Sequence, residues 1–302
     1  MLAAFLRRLF FWQTLAFAAF SVWLAWVWQW QAWWLLVAWL ALPLLILAIW
    51  TTKLTLRSRP QGANGWVWWR AIAGESWAIY RLFVWSMPWA QSASQLLMPT
   101  APASGLPVLL IHGYCCNYGV WRDVAARLTA LGHTVLAINL EPLFCSIDDY
   151  APQVEQAVAQ LRAQTGQQRV ALVGHSMGGL VIRAWMLTYG DAQVAVAVTL
   201  GSPHHGTQIT PHAKLPNARQ MVWASDWLQA LQASESPQRR ALLRVALTEQ
   251  DAIVFPQTAQ TLPGVDMRLF SGIGHLQLCT DAQVFTWLAT QLHANERQQA
   301  MR

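Results

Sequence analysis

The sequence predicts an α/β domain with a mainly parallel central sheet, preceded by a transmembrane hairpin of two apolar helices. Two patterns lead to this prediction. In the last two thirds of the chain, short apolar and β-branched runs alternate with stretches of helical spacing, as they do in parallel sheets covered by helices. The first sixth of the chain is almost continuously apolar and rich in tryptophan.

The apolar segment lies between Arg8 and Lys53, where 44 consecutive residues carry no formal charge. At a rise of about 1.5 Å per residue, a helix of this length is about twice as long as the hydrocarbon core of a bilayer is thick. Amides among tryptophans break the run near its middle, as is typical of a membrane interface. We therefore expect helices at about 9–28 and 32–50, joined by a tight turn, within a hairpin of residues 1–52. A buried helical pair and a cleaved signal peptide are the alternatives.

Charge is distributed unevenly along the chain. Residues 1–100 contain seven Lys or Arg residues and a single acidic residue, Glu75, whereas the remainder contains thirteen of each sign. We therefore expect a bilayer, and no nucleic acid, among the partners. Because the cations flank the outer ends of the hairpin, the positive-inside rule places both termini and the globular domain in the cytoplasm. A third crossing at 77–90 would export that domain instead.

Residues 53–106 connect the hairpin to the globular domain. Their Trp-rich part, 65–90, suits either a segment lying in the membrane interface or a helix packed on the domain. The Ser-, Ala- and Pro-rich run 91–107 is typical of a linker. The four cysteines show no disulfide or zinc-site spacing and are expected to be small buried side chains. They are Cys115, Cys116, Cys145 and Cys279.

Six strands are predicted in the globular domain, residues 107–295. They are Val108–Ile111, Thr134–Asn139, Arg169–Val173, Val194–Leu200, Leu242–Thr248 and Met267–Phe270. Helical spacing of apolar residues predicts one helix that ends before Gly132 and another that ends before Gly166, since glycine suits a left-handed C-terminal cap.

The strongest chemical signal is a G-x-S-x-G motif at 174–178, between a predicted strand and a predicted helix. A nucleophile elbow holds its serine on a sharp turn that requires small neighbours, and Ser176 is therefore the candidate nucleophile. The residues that form the elbow around it are Gly174, His175, Gly178 and Gly179. The alternatives are an ordinary Gly-rich turn between a strand and a helix and a phosphate-binding loop, but the G-K-[ST] and G-x-G-x-x-G patterns of phosphate loops are missing here.

An oxyanion hole is predicted beside this turn. Acyl transfer passes through a tetrahedral intermediate whose negative oxygen needs two fixed N–H donors. One donor comes from the residue after the nucleophile, and the other comes from the loop after the first core strand, where a His-Gly pair precedes Tyr114. The expected donors are the backbone N–H groups of Met177 and Tyr114.

Three motifs make the sequence resemble the bacterial triacylglycerol lipases and their lipase-like relatives in the α/β-hydrolase superfamily, over about residues 107–290. The motifs are Leu-Ile-His-Gly at 110–113, Gly-His-Ser-Met-Gly-Gly at 174–179 and Leu-Gly-Ser-Pro-His-His-Gly-Thr at 200–207. The resemblance implies an α/β-hydrolase fold and a serine hydrolase acting on carboxylic esters, with lipid acyl esters as the expected substrates. With the predicted hairpin, it implies a multi-pass enzyme of a bacterial inner membrane.

In this family the triad follows the chain order serine, acid, histidine, with the acid after a late strand and the histidine after the last one. Asp251 matches the acid better than Asp226 or Asp266, and His275 matches the base. The histidines at 204–205 match structural positions of the family. The resemblance therefore implies that His275 activates the serine while Asp251 orients the imidazole.

We expect neither a metal ion nor another cofactor. Secreted relatives often hold calcium through an aspartate just after the catalytic histidine, whereas no acidic residue directly follows His275. The long stretch 207–239 carries Trp223, Trp227 and Leu231 as an apolar stripe, which suits either a substrate lid or ordinary packing. A lipid acyltransferase or thioesterase would use the same triad. A membrane scaffold with a retired hydrolase fold is the non-enzymatic alternative.

Overall fold

The computed structural model describes residues 1–28, 32–60, 64–91, 93–100, 103–209 and 211–300. In this part of the chain, a seven-stranded sheet lies between two layers of helices. The strands are β1 Gln95–Leu97, β2 Val108–Ile111, β3 Val135–Ile138, β4 Val170–His175, β5 Val194–Leu200, β6 Leu243–Thr248 and β7 Asp266–Phe270. The helices are α1 Leu2–Trp28, α2 Ala32–Ser58, α3 Gly65–Tyr80, α4 Arg122–Ala130, α5 Ala151–Thr165, α6 Met177–Tyr189, α7 Pro216–Gln220, α8 Asp226–Ala233, α9 Pro237–Arg240 and α10 Ala282–Ala300.

The sheet has the strand order β1-β3-β2-β4-β5-β6-β7, and its neighbouring strands are parallel except for the β1–β3 pair. The six parallel strands match the predicted ones to within two residues at each end. The antiparallel edge strand β1 was not predicted, and it lies inside the run 91–107 that we expected to be a linker. Its three half-buried residues are too few to show a periodic pattern.

The sheet separates two apolar cores. Along β2, Val108 and Leu110 face one core while Leu109 and Ile111 face the other, as successive strand residues must. Helices α4 and α10 cover the first core, and α5 and α6 cover the second. The predicted ends of α4 and α5 are confirmed by left-handed glycines just beyond them, at positions 132 and 166.

Helix α1 is the one helix in the described residues with the length and hydropathy to cross a membrane, over Leu2–Val27. It begins before the predicted start at residue 9 because its first turns pack on the globular domain, where Leu2 and Leu6 are buried. From Phe11 onward its large apolar side chains are mostly exposed. The expected turn to α2 falls on residues 29–31, outside the described residues, and the hairpin stays a prediction.

Helix α2 extends to Ser58 instead of ending near residue 50, because its last turns also pack on other parts of the fold. Arg57 donates a hydrogen bond to the carbonyl of Ile209 (3.1 Å), beyond β5. The hydroxyl groups of Thr51 and Ser76 lie 2.9 Å apart and join α2 to α3.

Helix α3 has one buried and one exposed face. Its buried residues include Trp68, Ile72 and Glu75. The exposed tryptophans are Trp66, Trp69 and Trp77. The segment that follows, 81–89, forms short π-helical and 3-10 turns with Leu82 and Met87 buried. The Trp-rich segment therefore packs on the domain, one of the two arrangements expected of it, while its outer face presents aromatic rings.

Candidate active site

Ser176 lies in the sharp turn between β4 and α6. Its φ and ψ are 53° and −124°, a strained conformation for a residue with a side chain. Its backbone N–H donates to the carbonyl of Leu200 at the end of the neighbouring strand β5 (2.8 Å). The turn thus holds the serine at the carboxyl end of the sheet, which is the position expected for a nucleophile elbow.

The glycines around Ser176 allow backbone segments to approach closely. A Cβ atom on Gly174 would lie 2.6 Å from the carbonyl carbon of Gly178, and one on Gly179 would lie 2.8 Å from the Cβ of Ser202. A Cβ atom on Gly113 would lie 2.9 Å from the Cβ of Ser176. The loop after β2 therefore lies directly against the serine.

The two expected oxyanion donors lie on either side of this contact. Met177 is the first residue of α6, and the first N–H groups of a helix have no partner within it. Tyr114 follows Gly113 in the loop after β2, and it lines the same cavity as Ser176.

His275 and Asp251 form a buried hydrogen-bonded pair, in which the imidazole Nδ1 and the Asp251 Oδ2 lie 2.7 Å apart. The other carboxylate oxygen of Asp251 accepts hydrogen bonds from the N–H groups of Ile253 (2.9 Å) and Val254 (2.7 Å). Burial opposes a charge on the imidazole, yet Asp251 and then Glu75 raise the pKa of His275 above its ordinary value. Asp251 is therefore oriented to hold the His275 ring.

The other candidate acids and histidines lie away from this pair. Asp226 and Asp266 are exposed at the starts of α8 and β7. His204 is buried, and its Nε2 lies 3.0 Å from the Thr199 hydroxyl. His205 donates from Nε2 to the Thr261 carbonyl (2.9 Å). Both histidines have the structural contacts that the resemblance implies.

His175 contacts His275 through a hydrogen bond and through its ring. Its Nε2 donates to the backbone carbonyl of His275 (3.1 Å), and the two rings lie 4.7 Å apart. Burial, and then the nearby His275, lower the pKa of His175 well below its ordinary value. A neutral ring at this position donates its hydrogen bond without adding positive charge beside the imidazole of His275.

A cavity of about 600 Å³ lies against Ser176 and His275 and has mainly apolar side chains around it. Part of its lining comes from the N-terminal segment, namely Trp50, Glu75, Ile79 and Phe83. Another part comes from the stretch 207–239, namely Thr207, Ile209, Ala218 and Met221. The segment before the globular domain therefore contributes to the site.

The stripe proposed for the lid lies elsewhere: Trp223, Trp227 and Leu231 are outside the cavity lining. Leu231 is buried, and the half-buried Trp227 packs on the core that α5 and α6 cover, while its indole N–H donates to Asp148 (2.9 Å). These contacts are those of ordinary packing, the second of the two expected roles. A lid role for the stripe stays a prediction.

Glu75 is a site residue that sequence reasoning missed. It is buried on α3, lines the cavity, and accepts hydrogen bonds from the N–H groups of Leu276 (3.0 Å) and Gln277 (3.1 Å). Burial raises its pKa. The available signal was its isolation as the single carboxylate in the first hundred residues, because a charge in apolar surroundings is costly unless it is paired.

Neither metal-binding nor disulfide chemistry is built into the described residues. They contain no group of three or more His, Cys, Asp or Glu side chains that could hold a metal ion. The four cysteines are free thiols. Cys116 and Cys279 are buried, as expected, whereas Cys115 and Cys145 are half-buried.

The known proteins that resemble this chain in sequence include lipases and esterases. A family model described as the alpha/beta hydrolase fold matches residues 107–232. A triacylglycerol lipase from Burkholderia plantarii is 32% identical over 128 residues, which cover 39% of this chain and 35% of the lipase. Methylesterase 3 from Arabidopsis thaliana is 29% identical over 137 residues, which cover 43% of this chain and 52% of the esterase. The match thus spans between about a third and about half of each relative's length.

Solved structures show the same fold. The mature lipase BlEst2 from Bacillus licheniformis superposes with a TM-score of 0.59 at 16% identity, over 67% of this chain and 99% of that structure. Lipase B from Aspergillus fumigatus superposes with a TM-score of 0.53 at 15% identity, over 63% of this chain and 54% of that structure. Together with the matching family model and the sheet order, these similarities show that the chain has an α/β-hydrolase fold, and its relatives in sequence are lipases and esterases.

Proposed function

We propose that the protein is a membrane-anchored serine hydrolase that cleaves carboxylic esters, with lipid acyl esters as its substrate class. The observation that carries this proposal is that Ser176, on its strained turn, and His275, which is hydrogen-bonded to Asp251, line one cavity. The lipases and esterases among the relatives support ester cleavage as the reaction.

In the proposed mechanism, His275 Nε2 takes the hydroxyl proton of Ser176 while Oγ attacks the ester carbonyl carbon. The N–H groups of Met177 and Tyr114 stabilise the resulting oxyanion. His275 then gives the proton to the leaving alkoxide, so that the alcohol departs and the acyl group stays on the serine. Water, deprotonated by His275, attacks the acyl-enzyme, and the carboxylic acid leaves as Oγ takes back its proton. Asp251 stabilises the imidazolium in both steps.

The cavity lining supports a lipid acyl group as the substrate. Trp50, Ile79 and Phe83 are apolar, and they come from the segments that follow the long apolar helix α1 in the chain. A helix spanning Leu2–Val27 is about 39 Å long at about 1.5 Å per residue, enough to cross a hydrocarbon core of about 30 Å. An anchored enzyme of this kind would have its acyl pocket close to the lipid surface.

The test uses the full chain in detergent. A fluorophosphonate probe, which reacts with activated serines, should label the wild-type protein and not the Ser176→Ala variant. Against p-nitrophenyl esters of increasing acyl length, the wild-type protein should release nitrophenol, preferring long chains, and Ser176→Ala should release essentially none. Equal labelling of both proteins, or no ester cleavage by a labelled wild-type protein, would contradict the proposal.

A further inference from the structure

Helix α3 holds the start of the helical turn that follows His275. This turn, Leu276–Cys279, begins with the N–H groups of Leu276 and Gln277, which find no acceptor within the turn. Both donate to the carboxylate of Glu75, one to each oxygen, at 3.0 and 3.1 Å. Glu75 thus caps the turn from a separate helix, and the cap adjoins the proposed base.

Helix α3 and the loop that carries His275 approach each other closely, and each contributes a glycine to the contact. A Cβ atom on Gly274 would lie 2.6 Å from the Cβ of Glu75, and one on Gly74 would lie 2.6 Å from the Cδ of Gln277. The side-chain oxygen of Gln277 also accepts the N–H of Gly274 (3.1 Å). At Gly274 a larger residue would press on the Cβ of Glu75, so a residue with a side chain there would force α3 and the loop that carries His275 apart.

The charge of Glu75 also affects the titratable groups around it. The titratable groups that interact with it are His275, Asp251 and Cys279, and of these only His275 can become positive. His275 is in turn faced by Asp251 and by the neutral ring of His175. Burial is the largest influence on the pKa of Glu75 and raises it, while His275 and the N–H groups of Leu276 and Gln277 favour the charged carboxylate. When Glu75 is ionised, its negative charge acts mainly on the imidazole.

We propose that Glu75 is a positioning residue for the hydrolytic step, fixing the loop that carries His275 and placing a second carboxylate near its ring. This inference rests on the proposed function. During attack by Ser176, His275 becomes an imidazolium, and a fixed nearby negative charge stabilises that state more than the neutral one. The hydrogen bonds to the following turn hold the ring where it can reach the serine.

Two substitutions separate geometry from charge. Glu75→Gln keeps the size of the side chain but removes the charge and one acceptor. Glu75→Asp keeps the charge but is one methylene too short to hold both N–H groups. Asp266→Asn removes an exposed carboxylate at the start of β7 and serves as the matched control. Each full-length variant is measured with p-nitrophenyl butyrate from pH 5 to 9, and rates are divided by the number of sites that react with fluorophosphonate.

Glu75→Gln should lower kcat on the order of 10- to 100-fold, since a small misplacement of a reacting group costs up to about 10². Its KM should stay within about twofold of the wild-type value. The acid limb of its kcat/KM profile should move to lower pH, because loss of a nearby negative charge lowers the pKa of His275 and keeps the base neutral in more acidic solution. Glu75→Asp should lower kcat without moving this limb, and Asp266→Asn should change neither quantity.

A wild-type kcat and pH profile in Glu75→Gln would overturn the inference, while activity that is lost in Ser176→Ala would leave the proposed function standing. A fall in kcat with no movement of the acid limb would reduce Glu75 to a structural cap and also overturn it. If Glu75→Gln fails to fold, Glu75→Asp decides: unchanged kcat, or a displaced acid limb, rejects the inference. An inactive wild-type protein would instead contradict the proposed function.

Discussion

Backbone donors hold Asp251 in the orientation that its partner histidine requires. One carboxylate oxygen accepts the N–H groups of Ile253 and Val254, and the other faces Nδ1 of His275. This arrangement places the proton of the neutral ring on Nδ1, which leaves Nε2 free to accept the proton of Ser176. In the proposed mechanism, Asp251 therefore acts by fixing the tautomer of His275 and does not itself take up a proton.

Asp251→Asn is therefore expected to lower kcat by as much as about 10⁴-fold, because an amide nitrogen facing Nδ1 favours the wrong tautomer. The measurement is the rate of short-ester cleavage per folded molecule. Asp226→Asn and Asp266→Asn are matched controls, since both remove exposed carboxylates. If either control lost as much activity as Asp251→Asn, the assignment of the acid would be wrong.

A buried ion pair joins α6, the helix that follows Ser176, to another part of the fold, and its contribution to stability can be measured. Arg183 on α6 donates to both carboxylate oxygens of Glu235, at 2.6 and 3.0 Å, and both side chains are fully buried. Arg183 also donates to the carbonyl of His204 (3.3 Å). The pair thus ties the helix after the nucleophile to the segment between α8 and α9.

Glu235→Gln should lower the free energy of unfolding by about 3–5 kcal/mol, because it leaves a buried guanidinium without its counter-charge. Asp191→Asn, which breaks the more exposed contact with Arg239, should cost only about 0–1 kcal/mol. Urea unfolding followed by far-ultraviolet circular dichroism measures both variants. Equal, small losses would show that Arg183 is satisfied without Glu235.

At the level of elements, the cavity receives side chains from segments that are far apart in the chain. Helix α7 brings Ala218 to the lining, while α2 and α3 bring Trp50 and Ile79. Leu231, the member of the stripe near the end of α8, is instead buried. We therefore expect substrate length to be controlled by α7 and the N-terminal helices rather than by Trp223 and Trp227.

Ala218→Trp should fill part of the cavity and reduce cleavage of long-chain esters at least tenfold more than cleavage of butyrate esters, because a longer acyl group needs the volume that the indole takes. Trp227→Ala is the control and should affect all chain lengths equally, as a packing residue does. The measurement is kcat/KM for a series of p-nitrophenyl esters. A larger long-chain defect in Trp227→Ala than in Ala218→Trp would favour the lid hypothesis.

These elements also show what the sequence could and could not predict. The parallel strands are buried apolar runs, and Ser176 lies in a motif whose glycines are required by the turn, so both could be predicted locally. The strand β1 is too short to show the alternation of apolar and polar residues that identifies a strand. The contact of Glu75 with the turn after His275 joins residues about 200 positions apart in the chain, and no local pattern reports such a contact.

At the level of the whole molecule, the two long helices have ends that dock on the same globular domain. Leu2 and Leu6 are buried at the start of α1, and Arg7 donates to the carbonyl of Pro88 (2.6 Å). At the end of α2, the carbonyl of Ser58 accepts a hydrogen bond from Gln257 (3.1 Å), close in the chain to the candidate acid. In the proposed membrane-anchored enzyme, both docked ends would therefore lie on the side of the membrane that holds the globular domain.

We predict that this side is the cytoplasm and that residues 29–31 lie on the opposite side. Arg7, Arg8 and the cations of residues 53–59 all lie at the docked ends, and the positive-inside rule retains such residues in the cytoplasm. Alkaline phosphatase, which is active only after export, should be active when fused after Trp30 and inactive when fused after Arg302. Green fluorescent protein should fluoresce at the second site and not at the first. Active phosphatase after Arg302 would place the catalytic domain outside, and inactive phosphatase after Trp30 would show that α1 does not cross the membrane.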